Sequence, residues 1–166
     1  MNTTKVGLWL LAGVTGAVVF WLMQVVRGGP TITEFMGAQI VATGSYSESL
    51  ATVLGWAVHL GVSLSYALLF GMIAWLLRAM NFAAAMALTL VIALVLGWAT
   101  AVLAPPAISV TISLLGGQRW PAELFPLNTE INLPFWNHLL FFTLNWVVQA
   151  LGPRVVRARS TRRSRQ

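Results

Sequence analysis

The sequence predicts an all-α integral membrane protein: four transmembrane helices in an antiparallel bundle, with a short amphipathic surface helix and a structured outer loop. Three observations predict it. The 166-residue chain is 58% hydrophobic and only 8% charged, where soluble domains carry about 25% charged residues. Its apolar residues come in unbroken runs of bilayer-crossing length at 6–26, 51–77, 82–103 and 133–151. Six of the ten basic residues lie in 154–166, directly behind the last run, dividing the chain into a four-span membrane domain, 1–153, and a basic cytoplasmic tail.

The first span follows a polar start, Met1–Lys5. It is too long for a secretory h-region, and Arg27-Gly28-Gly29-Pro30 is not a small-residue cleavage site, so it reads as a retained span. Ala12, Gly13, Gly16 and Ala17 give it a surface that another helix can approach closely. After it, Thr31-x-x-Glu34 is a capping box. Ile32, Phe35, Met36 and Ile40 share one side of the short helix that this box starts, which predicts an amphipathic helix lying on the membrane surface.

The second span, Ala51–Leu77, is uncharged, and Thr52, Trp56, His59, Ser63, Tyr66 and Phe70 fall on one stripe at helical spacing. A polar-aromatic seam on a lipid-soluble helix is expected to face other helices or a ligand. Only Ala79, Met80 and Asn81 separate Arg78 from the third span, which predicts an antiparallel hairpin. The third span repeats small residues every four positions, at Ala85, Thr89, Ala93, Gly97 and Ala101, as a packing face does. Pro105-Pro106 is expected to stop it.

Beyond the prolines, Ile108, Val110, Ile112 and Leu114 alternate with Ser109, Thr111 and Ser113, a strand-like period ending at Gly116-Gly117. The rest of the connection, with Trp120, Pro121, Phe125 and Pro126, reads as a structured cap over the helix ends. The fourth span opens with an aromatic belt, carries His138, Asn145 and Gln149 as a second polar seam, and is expected to end at Gly152-Pro153.

Charge sets the orientation. With both termini and the Arg78 turn on one side, that side holds Lys5, Arg78 and six tail arginines and no acid. The other side holds Arg27 and Arg119 against Glu34, Glu48, Glu123 and Glu130. Positive flanks mark the cytoplasm, so both termini are expected there. A basic run beside a span points to anionic membrane lipids. No basic groove interleaved with stacking aromatics accompanies it, so no nucleic-acid partner is expected.

Both histidines lie in spans. His59 is eight residues from the outer end of its helix, about 12 Å, and His138 five, about 7.5 Å, at the helical rise per residue. Opposed seams would form an outer-leaflet pocket from His59, Ser63, Tyr66, His138 and Asn145. Three roles fit such a pocket. The imidazoles hydrogen-bond between helices as polar glue; or they ligate a haem or chlorin; or His59 or Tyr66 donates to the carbonyl of a quinone or lipid. The chain has no Asp and no Cys, and none of the nucleophile-elbow, zinc-protease, P-loop or dinucleotide motifs. All four Glu lie outside the spans, against intramembrane proton transport.

A glycine-rich first span, a short surface helix and His59-x-x-x-Ser63-x-x-Tyr66 followed by Phe70-Gly71 resemble small four-span bacterial membrane proteins of unknown function. The resemblance implies a bacterial cytoplasmic membrane and an architecture, but no reaction. A looser similarity is to light-harvesting spans whose histidine ligates bacteriochlorophyll, although Ser63 stands where those helices usually carry leucine. The expected function is a non-enzymatic accessory subunit docking with other membrane subunits in an electron-transfer assembly. The alternative is a haem- or quinone-binding redox protein using His59 and His138.

Overall fold

The computed structural model describes residues 3–163; residues 164–166 of the basic tail lie outside them. The described chain is all helical, with no sheet: α1 (Thr3–Arg27), α2 (Ile32–Gly44), α3 (Ala51–Leu76), α4 (Phe82–Leu115) and α5 (Leu133–Arg163). Three segments, Lys5–Arg27, Glu48–Ala79 and Phe82–Leu115, are long and apolar enough to cross a membrane. The first part of α5 coincides with the fourth predicted span, but Asn137, His138, Asn145 and Gln149 dilute its apolarity.

α1 packs between α3 and α5, α5 packs on α4, and α2 lies across α3 and α4. Small residues set these approaches. A methyl at Gly16 would overlap the Phe141 ring of α5, and one at Gly97 would press on the Leu139 backbone, also in α5. The small-residue ladder of α4 is the face turned inward, with Thr89, Ala93, Gly97 and Ala101 all buried. Between the helices, Phe70, Ala93, Phe141 and Phe142 form the central core.

Four local expectations are corrected. First, Pro105-Pro106 does not stop α4, which runs on to Leu115. Proline removes a donor and leaves the carbonyl four residues earlier unpaired. Here the backbone N–H of Asn128 donates to Val102 O at 3.1 Å, replacing the bond that Pro106 cannot make. Second, 108–114 is helix, not strand. Its buried residues, Ser109, Ile112 and Ser113, follow helical spacing, and the alternation seen in the sequence is incidental to it.

The stop comes at Gly117, whose φ of 80° lies in the left-handed region. Gln118 N donates to Ser113 O at 2.8 Å and Gly117 N to Leu114 O at 3.2 Å, which closes the helix end as a Schellman motif.

Third, α3 and α4 share a short turn but touch little along their lengths, so they are not a packed hairpin. α5 is the main partner of α4, and a cavity opens between α3 and α4 toward the α2 end. Fourth, α5 continues through Gly152-Pro153 to Arg163; a single missing donor is tolerated within a long helix whose neighbouring turns hold.

The predicted capping box of α2 forms, with Glu34 N donating to Thr31 Oγ1 and Thr31 N donating to Glu34 Oε2 at 2.8 Å. Much of the apolar side of this helix, however, packs on protein, with Phe35 left exposed. Met36 and Ile40 are buried with Ile112, beside Leu54, Val58 and Ile108. The helix sits so close to α3 that Gly37 meets the Ala51 carbonyl, and Gly55 meets the Thr33 carbonyl. No side chain fits at either crossing.

Candidate functional site

The gap between α3 and α4 is a cavity of about 390 Å³, within the range typical of small-molecule sites. α3 supplies one wall through His59, Ser63 and Tyr66, and α4 the opposite wall through Ala101, Pro105 and Ile108. α2 closes it with Ile32, Phe35 and Met36. His138 and Phe141 enter from α5, Phe20 and Gln24 from α1, and Phe125, Asn128 and Asn132 from the loop before α5.

Four of the five predicted site residues line this chamber: His59, Ser63, Tyr66 and His138. Asn145 does not. It is fully buried a few turns further along α5, donates to Phe141 O at 2.9 Å, and faces α1 at Gly16. Within the α3 seam, Ser63 and Phe70 are buried with His59, whereas Thr52 is exposed.

The two imidazoles lie at one level, because the Phe20 ring touches both, with centroid separations of 5.5 Å to His59 and 5.2 Å to His138. Their bonding differs. Buried His59 donates from Nε2 to Ala17 O of α1 at 3.0 Å, tying two helices together. His138, half-buried, donates from Nδ1 to Pro134 O at 2.7 Å, one turn back in its own helix. Only His59 therefore does what interhelical glue does. Its edge also rests on Trp56, 5.9 Å between centroids.

The rim is a network of amides. Asn132 accepts from Phe135 N at 3.2 Å and so caps α5, and it exchanges two hydrogen bonds with Asn128 at 2.9 and 3.2 Å. Gln24 accepts from Ile32 N at 2.9 Å and fastens the start of α2 to α1. Among the described residues, nothing engages the Ser63 or Tyr66 hydroxyl, and no three His or Glu side chains gather as a metal-holding group.

Sequence reasoning did not select Phe20, Gln24, Asn128, Asn132 or Asn137. Phe20 carries no signal that separates it from any other apolar residue of a span. Asn137 had one: it lies eight residues before Asn145 on the same helical face. It is 1% exposed, and neither its Oδ1 nor its Nδ2 has a partner among the described residues.

Comparisons were made with protein-family models, curated proteins and solved structures. None matches this chain. The site must therefore be read from its own chemistry, which is an apolar aromatic chamber with two imidazoles and two free hydroxyls on its walls.

Proposed function

We propose that the chain is a four-span, non-enzymatic subunit of a bacterial cytoplasmic membrane that holds an apolar, polar-headed ligand in the chamber between α3 and α4, within an electron-transfer assembly. Both termini face the cytoplasm in this reading, because eight of the ten basic residues lie on that side and all four acids on the other. The chamber then opens in the outer half of the bilayer.

One observation carries the ligand reading. Ser63 is 5% exposed, lines the chamber, and has a hydroxyl that no described residue engages. A hydroxyl that lines an apolar chamber and has no protein partner is a ready hydrogen-bonding point for the polar head of a ligand. The size and the aromatic walls favour a quinone-class ring over a tetrapyrrole held by both histidines. The Phe20 ring lies against both imidazoles, in space that a macrocycle held by the pair would need.

The accessory role draws on a different feature. Trp120, Leu124, Phe125, Leu127, Ile131 and Trp136 are exposed around the loop before α5, an apolar surface suited to another membrane subunit.

The test is purification of the full chain from its own membrane, organic extraction, and mass spectrometry of what is released. A stoichiometric apolar ligand lost in S63A/Y66F is the expected result. An empty, monomeric, colourless preparation refutes the reading. Labelling that finds the tail outside the cell refutes the orientation.

A further inference from the structure

Resting on the reading that the chamber holds an apolar ligand, two internal hydrogen bonds fix which head group it lacks. A carbonyl oxygen only accepts. In His59 the nitrogen facing Ala17 O at 3.0 Å is Nε2, and in His138 the nitrogen facing Pro134 O at 2.7 Å is Nδ1, so these carry the protons. A neutral imidazole has a single N–H. Nδ1 of His59 and Nε2 of His138 are therefore left as lone pairs. No carboxylate lines the chamber to favour a second proton on either ring.

The imidazoles thus offer two acceptors and no donor. Ser63 and Tyr66 offer hydroxyls that both donate and accept. A carbonyl or ether head satisfies the hydroxyls and leaves the imidazole lone pairs unmet. A hydroxyl head satisfies both, donating to an imidazole and accepting from Ser63 or Tyr66. Phe20, Tyr66 and Phe141 in the walls suit an aromatic ring behind that hydroxyl.

We infer that the chamber selects a phenolic hydroxyl: a phenol or hydroquinone on an apolar body, in preference to the quinone or ether of the same shape. Applied to a quinone pool, the site holds the reduced form. Of the two donors expected from the sequence, His59 or Tyr66, this leaves Tyr66, because the His59 proton is spent on α1.

The experiment titrates the detergent-purified full chain with para-hexylphenol and with para-hexylanisole, in which a methyl replaces the hydroxyl hydrogen. Calorimetry reads the affinities, and quenching of tryptophan (Trp56 edges His59) reads occupancy. The phenol is expected to bind about tenfold more tightly, the size of one net hydrogen bond. H138F, which breaks only a bond within α5, is expected to lower that ratio severalfold.

Equal affinities for phenol and ether overturn the inference while leaving the chamber a ligand site. Failure of both probes to bind removes the underlying reading instead. Two-bond proton–nitrogen correlation spectra test the same point without ligand: Nε2–H on His59 and Nδ1–H on His138 are expected, and the opposite tautomer on either ring overturns it.

Discussion

Replacing Gly55 with alanine tests the packing that builds the chamber. An added methyl at Gly55 runs into the carbonyl oxygen and carbon of Thr33, which are backbone atoms of α2 and unable to swing aside as a side chain would. α2 must move as a body, against the Gln24–Ile32 bond and the buried Met36–Ile40–Ile112 cluster. Overpacking of this kind costs about 1–3 kcal/mol, and a backbone obstacle places Gly55→Ala toward the upper end. Gly61, six residues on in the same helix, is the control, since a methyl there meets nothing within 4 Å. Gly61→Ala gains helix propensity worth about 0.5–1 kcal/mol, so the two substitutions should have opposite signs. Gly37→Ala strikes the Ala51 carbonyl at the same crossing, and one shift of α2 relieves both clashes. The double variant should therefore cost less than the two singles together. Reversible unfolding in mixed micelles, followed by circular dichroism, measures all four. If Gly55→Ala stabilises as Gly61→Ala does, the close approach of α2 to α3 is wrong, and with it one wall of the cavity.

Three further outcomes follow. His59→Phe removes a bond between α3 and α1 and should cost about 0.5–1.5 kcal/mol; His138→Phe removes one within α5 and should cost less, and equal losses by thermal unfolding would refute the distinction. Asn137→Leu eliminates two buried, unpartnered polar atoms and should raise stability by about 1–3 kcal/mol; a fall in the unfolding midpoint would show that the amide has a partner in the membrane. The Glu34 carboxyl is held below the usual carboxylate range, first by the Thr31 backbone N–H and then by the Thr31 hydroxyl. Because its folded value lies below the unfolded one, the capping contribution is complete above the unfolded value and is lost as pH falls through the folded one. Protection factors in the first turn of α2, taken against intrinsic exchange at each pH, should fall on acidification in the wild type and stay flat in Glu34→Gln, and parallel profiles would contradict this.

Elements defined by period and capping were legible in the sequence. The apolar runs located α1, α3 and α4, Thr31-x-x-Glu34 located the start of α2, and the ladder from Ala85 to Ala101 located the packed face of α4. What was not legible depended on residues distant in the chain. Pro105-Pro106 reads as a stop because a local rule sees only the lost donors, and the replacement comes from Asn128. The short link at Met80-Asn81 suggests a hairpin, but helix neighbours are chosen by complementary small and large faces, and α4 finds its match in α5. The seam of α3 was visible as His59, Ser63 and Tyr66, and its convergence with His138 followed from comparable depths, about 12 and 7.5 Å from helix ends expected on the same side. Asn145 shares the helical face of Asn137 and Phe141, turned toward α1, and no spacing rule separates that direction from the chamber.

The bond from Asn128 to Val102 joins an extramembrane loop to the carbonyl row of a spanning helix, and the loop's Phe125 and Asn132 line the same chamber as Ala101 and Pro105. Pulling that loop away would strip an acceptor of its proton donor and loosen the broken rung of α4. The loop and the chamber wall are thus tied through a single amide, so a shift of the loop reaches the interior without any spanning helix having to slide.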